Sequence, residues 1–122
     1  MTFELTESGN IWTINQGETT VLTVNYKNTA GSTVSLSSGY TARMMGRATH
    51  DASATIFSLT SSSGITLAGS DPNITITIAS TVTDDFDAPS SGVYDLELVT
   101  TASGVVERIL EGAFKVTPEV TR

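Results

Sequence analysis

One histidine, a run of aspartates and a set of carboxylates on alternating segments are the residues with which this chain could do chemistry. His50 is followed by Asp51, and a carboxylate that orients an imidazole makes a general base. Neighbours in sequence seldom face one another, however, and no serine stands in a G-x-S-x-G elbow. His50 therefore reads as an exposed loop residue, and no catalytic residue is expected. Asp84, Asp85 and Asp87 cluster, with Asp71 in another loop. Hard cations take several oxygen ligands, so such a cluster has the right chemistry for calcium. It lacks the D-x-[DN]-x-[DN]-G spacing of an EF-hand loop. Asp84 and Asp85 are better explained as charges at the start of a helical turn capped by Ser80 or Thr81, and Asp87 as a turn former. No metal and no cofactor are expected.

Asp95, Glu97, Glu107 and Glu111 share the outward parity of the last two alternating segments. Their expected role is a solvated face, with Glu107 or Glu111 paired to Arg108 at no more than about 1 kcal/mol per pair. Two carboxylates that cleave a glycoside also need a sugar-sized cleft, which a thin sandwich rarely has. The chain reads as a non-enzyme.

The elements that position these residues follow from composition and periodicity. The 122 residues suffice for one domain with a real core. Only 16% are charged, and threonine and serine fill solvent-facing positions instead, a composition that favours strands over helices. The net charge of −7 repels a phosphate backbone and disfavours nucleic acid as a partner. There are no cysteines, hence no disulfides and no thiol chemistry. Met1 to Glu7 has neither the basic nor the apolar region of a signal peptide. No apolar run approaches the roughly 20 residues of a membrane helix, so neither export by that route nor membrane insertion is expected.

Short alternating segments recur between turns. Ile11–Ile14 reads as a first strand. Thr19–Lys27 places Leu22, Val24 and Tyr26 on one face, and Val34–Leu36 is a brief apolar patch. Tyr40–Arg47 turns Tyr40, Ala42 and Met44 inward and Thr41, Arg43 and Met45 outward. Thr55–Thr60 and Ile65–Leu67 follow. Asn73–Ala79 carries Ile74, Ile76 and Ile78 at strict period two. After the helical turn, Gly92–Thr100 points Tyr94, Leu96 and Leu98 inward. Ala102-Ser103-Gly104 is a hairpin turn, and Val105–Thr117 closes the fold with Leu110, Phe114 and Val116 on one parity. Ile109 breaks that parity, and Gly112 is read as the mark of a bulge. Seven to nine strands with turns every 8–12 residues predict an all-β, immunoglobulin-like sandwich over residues 11–117. Residues 1–10 are expected to be an N-terminal arm or edge segment, and 118–122 a polar tail.

The order of these motifs, from Gln16-Gly17-Glu18-Thr19 through Tyr40-Thr41-Ala42-Arg43-Met44, Gly64-Ile65-Thr66-Leu67, Ile74–Ile78 and Gly92–Leu98 to Arg108–Thr121, resembles small immunoglobulin-like virion proteins of tailed bacteriophages and prophages. It is similar to the N-terminal domains of baseplate upper proteins, which tether receptor-binding proteins. The resemblance implies a virion structural protein, assembled in the host cytoplasm, that serves as a tail or baseplate adaptor. Many copies would dock onto other virion proteins, with particle symmetry multiplying weak contacts. Two alternatives stay open: a head decoration or neck protein of the same fold, and a bacterial surface or carbohydrate-binding sandwich. For the last, a row of exposed aromatics is needed, whereas Tyr26, Tyr40 and Tyr94 take core parity. Phe3, Leu5, Trp12 and Met45 are the interface candidates. Trp12 fits core and interface equally well.

If the aspartates hold no ion, thermal melts in calcium and in chelator should coincide. A calcium-dependent rise in melting temperature would make Asp84, Asp85 and Asp87 ligands.

Overall fold

Side chains alternate across a strand, so each period-two segment has one face to bury and the opposite face to leave in water. The structure, a computed structural model, meets this demand with two packed sheets. It describes residues 2–5, as a strand, and 11–120. In chain order these form β1 (Thr2–Leu5), β2 (Ile11–Asn15), β3 (Thr20–Val24), β4 (Tyr40–Arg47), β5 (Phe57–Thr60), β6 (Ile65–Leu67), β7 (Ile74–Ile78), a helical turn α1 (Ser80–Thr83), β8 (Ser90–Thr100) and β9 (Val106–Thr117). One sheet has the order β1-β3-β7-β6 and the other β2-β9-β8-β4-β5. The chain is an all-β sandwich, as the alternation predicts.

The two inner faces differ in character. From β3, β6 and β7 come aliphatic residues: Leu22, Val24, Ile65, Ile74, Ile76 and Ile78, all buried. The five-stranded sheet contributes the rings. Phe57 lies 5.1 Å from Phe114 and 5.7 Å from Trp12, and Trp12 lies 5.8 Å from Tyr94, all edge-to-face. Phe86, from the loop after α1, stacks on Phe57 at 6.3 Å. Each such pair adds about 0.5–1.5 kcal/mol beyond the area it buries. Trp12 is 0% exposed and its Nε1 has no hydrogen-bond partner. It is therefore a core residue and offers no surface to another chain, which corrects its candidacy for an interface. Of the other residues expected inside, Leu96, Leu98, Leu110 and Val116 are buried, and Tyr40 is half-buried at the start of β4.

Two strand glycines make room for these rings. Gly46 sits opposite Phe57 and Tyr94, and Gly92 opposite Phe114. A Cβ on Gly46 would come within 2.8 Å of three Phe57 ring carbons, and one on Gly92 would collide with the Arg47 carbonyl oxygen and lie 2.8 Å from Phe114 Cε1 and Cζ. The rings lie over bare backbone, which a side chain would fill.

Irregular segments are tied down by buried polar groups. Asn73 is 0% exposed. Its Oδ1 accepts from Tyr26 N–H at 2.7 Å, and its Nδ2 donates to Tyr26 O at 2.9 Å and Val34 O at 2.8 Å. One side chain thus fixes the 25–36 stretch, in which Leu36 fills the core without belonging to a strand. Gln16 donates to Phe86 O at 2.9 Å and accepts from Glu119 N–H at 3.1 Å. It joins the end of β2, the loop after α1 and the segment beyond β9.

Two expectations need correction. The helical turn is not capped by Ser80 or Thr81: Ala79 is the N-cap, and Ser80 N–H donates to Thr19 Oγ1 at 3.2 Å instead. Asp84 is the C-cap, so Asp84 and Asp85 lie at the negative end of the turn. Thr83 is the buried residue of α1, and its hydroxyl donates to Glu18 O at 2.9 Å. The bulge is at Ile109, not Gly112. Leu96 pairs with Leu110 and Glu97 with Arg108, while Gly112 keeps regular register with Tyr94. The extra residue is the one whose parity did not fit. Within the segment expected to be an arm or edge, residues 2–5 form the edge strand β1, which runs parallel beside β3, Thr2 opposite Val21 through Leu5 opposite Val24. Met1, 6–10, 121 and 122, and the side chains of Phe3 and Leu5, lie outside the described residues.

Gly92→Val should destabilise the fold by at least about 1–3 kcal/mol, because its Cβ would collide with the Arg47 carbonyl oxygen on the neighbouring strand and with the Phe114 ring. Urea unfolding of the variant checks this; an unchanged midpoint would mean that both the β4 backbone at Arg47 and the ring have room to move.

Candidate docking face on the five-stranded sheet

The bulge at Ile109 reverses the parity of the residues before it. Beyond it, Arg108 joins Glu111 on the outward face, and Glu107, opposite Leu98, turns toward the other sheet. The expected outward position of Glu107 is thereby corrected. The Tyr26 hydroxyl donates to Glu107 Oε1. That carboxylate, with partial burial, pushes the Tyr26 pKa from 10.0 up to about 12. Tyr94 is also raised to about 12, by burial alone.

The outward face is built from rows of residues facing across the strands. Met45 stands beside Asp95, and Asp95 beside Glu111; Arg43 stands beside Glu97, and Glu97 beside Arg108; Arg47, Val93, Ala113 and Ile11 make a further row. Two adjacent carboxylates, Asp95 and Glu111, would repel one another. Arg108 bridges them, with Nε 3.5 Å from Asp95 Oδ2 and Nη1 3.1 Å from Glu111 Oε2. Arg43 Nε holds Glu97 Oε1 at 2.6 Å. Arg47 Nη1 donates to Ala52 O and Ser53 O, each at 3.0 Å, and so fixes the loop that carries His50. Ile11 is 55% exposed, Met45 39% and Val106 47%. A shallow hollow of about 100 Å³ lies between Met45, Arg47, His50, Val93, Asp95, Arg108 and Glu111.

His50 is exposed and borders the hollow; no hydrogen bond to Asp51 accompanies it. Asp85 and Asp87 line a separate hollow of about 380 Å³ together with Ile56 and Phe86. Asp84 faces another one, with Gly17 and Glu119. The aspartates therefore do not converge, and among the described residues no three His, Asp or Glu side chains are placed to hold a metal ion. Of the two interface candidates whose side chains are described, Trp12 is buried and Met45 lies on the surface. Arg43, Arg47, Arg108, Val93 and Ile11 share its face and were not among the candidates. Their alternation was legible, but which outward residues share a row depends on register and bulge. Among the described residues, no helix is long and apolar enough to cross a membrane. No family model matches the sequence, and no curated protein does.

Because Tyr26 and Tyr94 hold their protons more tightly when folded, the native state binds more protons than the unfolded one above pH 10. Stability should fall as pH rises from about 10 through about 12. Glu107→Gln should bring the Tyr26 titration back toward 10.0 and leave Tyr94 in place. Residue-resolved NMR titration of the tyrosines reads this directly; an unmoved Tyr26 would mean that the pair does not form in solution.

Proposed function

We propose that this chain is a virion structural protein of a tailed bacteriophage, an immunoglobulin-like module of the tail or baseplate that acts by multivalent docking onto other virion proteins. The observation that carries the docking role is the composition of the outward face of the five-stranded sheet. It holds Arg43, Arg47 and Arg108 together with exposed Ile11 and Met45. Arginine and methionine are enriched at protein interfaces. The virion assignment rests on the order of sequence motifs, from Gln16-Gly17-Glu18-Thr19 to the closing strand. A two-sheet sandwich with short strands is compatible with it. Single copies need bind only weakly, because particle symmetry converts later contacts into intramolecular ones.

The test is to place a small epitope tag in the exposed hairpin turn between β8 and β9, at Ala102-Ser103, where insertions are tolerated best. The tagged gene is then expressed in the cell that produces the particles, and purified particles are labelled with gold-conjugated antibody. Label at the tail or baseplate is the expected result. Label on the capsid would make the chain a head decoration protein, and particles without label would overturn the virion reading.

A further inference from the structure

The charge of the molecule is distributed unevenly over its surface. Of its six basic residues, Arg43, Arg47, Arg108 and Lys115 stand on the outward face of the five-stranded sheet, with three of the 13 acidic ones. The face is thus slightly positive on a chain of net charge −7. Lys115, which neighbours Ser91 and Thr13 across the strands, is exposed and has no ion pair among the described residues. Between Lys115 and the row of Arg43 lie the apolar Ile11, Val93 and Met45.

The α1 end of the sandwich has the inverse design. Val82 is 45% exposed there, and Asp84 and Asp85 follow it, both exposed and without an ion pair among the described residues. In the single chain this placement is unfavourable. Two like charges are adjacent, and they sit at the end of the turn where the backbone dipole is negative. Among the described residues, no cation pairs with them. An apolar residue beside unpaired carboxylates is the complement of an apolar row beside an unpaired lysine.

We propose that the outward face of the five-stranded sheet is a docking surface for the α1 end of a second copy of this chain, so that copies associate head to tail. Val82 enters the apolar row of Ile11 and Val93, and Asp84 and Asp85 meet Lys115 and Arg47. The contact joins two different surfaces, so it is heterologous, and copies close into a ring or extend as a filament according to the rotation between them. The inference rests on the assembly reading above and names one partner within it.

Analytical ultracentrifugation of the full chain tests this. At high protein concentration and low ionic strength, species heavier than the 12.8 kDa monomer are expected. They should dissociate as salt rises from about 0.05 M to about 1 M, where the screening length falls to about 3 Å. Lys115→Glu on the face, or Asp84→Lys with Asp85→Lys on the end, should each weaken association at least about tenfold. Lys115→Glu mixed with the neutral-end variant Asp84→Asn/Asp85→Asn should form a 1:1 dimer and nothing larger, because each retains one working surface and no swapped charges rebuild the other. Neutral versions, Lys115→Gln and Asp84→Asn with Asp85→Asn, and melting curves for every variant, separate lost contact from lost fold. A wild-type chain that stays monomeric overturns the proposal. So does association that survives high salt, that responds to one surface alone, or that fails to return as a dimer on mixing. Gold label on particles would still stand in those cases, so failure here and failure of the virion reading are told apart.

Discussion

Five aromatic rings must share one end of a thin sandwich, and the rest of the architecture accommodates them. Trp12, Phe57, Tyr94 and Phe114 come from four strands of one sheet, and Phe86 closes the group from the loop after α1. Side by side on a pleated surface, such rings collide with neighbouring Cβ atoms. Gly46 and Gly92 remove those atoms at the points of closest approach. The opposite sheet answers with slim β-branched and aliphatic side chains, Ile74, Ile76 and Ile78 above all. The aromatic side fixes the position of the aliphatic one, because interiors packed to crystal density leave no slack for either to slide. The unpaired Trp12 Nε1 is the polar cost of that arrangement.

The second constraint is polar. A sandwich with an irregular stretch between two strands must still satisfy that stretch's backbone groups once they are buried. Asn73 does this with three hydrogen bonds to Tyr26 and Val34, from a site shut off from water. Gln16 and Thr83 play the same part at the α1 end, by contacts to Phe86, Glu119 and Glu18. Each of these side chains reaches across at least 39 positions of sequence, apart from the local bond of Thr83 to Ser80. Such bonds are worth most where water cannot replace them.

With the interior closed in this way, the surface inherits its pattern from a single register event. The bulge at Ile109 aligns Arg108 with Asp95 and Glu111 and sends Glu107 to Tyr26. Exposed ion pairs of this kind contribute little to stability. Their effect is instead on the face itself, where they compensate charge around an exposed apolar strip. The proposed docking role draws on the rows that this extra residue aligns, and the proposed head-to-tail contact on the neighbouring rows of Ile11 and Lys115.

Much of the fold was legible in the sequence, because strand periodicity is local. Strict alternation at Ile74, Ile76 and Ile78, or at Tyr94, Leu96 and Leu98, has a buried face whatever lies opposite it, and the structure buries all six. The off-parity Ile109 was visible as an anomaly, yet its meaning was not. A bulge is defined by the partner strand, and the pairing of Leu96 with Leu110 and of Glu97 with Arg108 is a tertiary fact. Trp12 fitted core and surface equally in sequence, since one ring on a five-residue strand carries no record of which sheet covers it. Asp84 and Asp85 were misplaced because a helical turn of four residues has no internal periodicity to mark its start; the distant Thr19 hydroxyl, which receives the Ser80 N–H, sets it. The sequence by itself determined which residues alternate and which have ionisable groups. Only the tertiary structure decided which of them stand together, because strand register, which brings 43, 95, 97, 108 and 111 onto one surface, is set by packing between segments far apart in the chain.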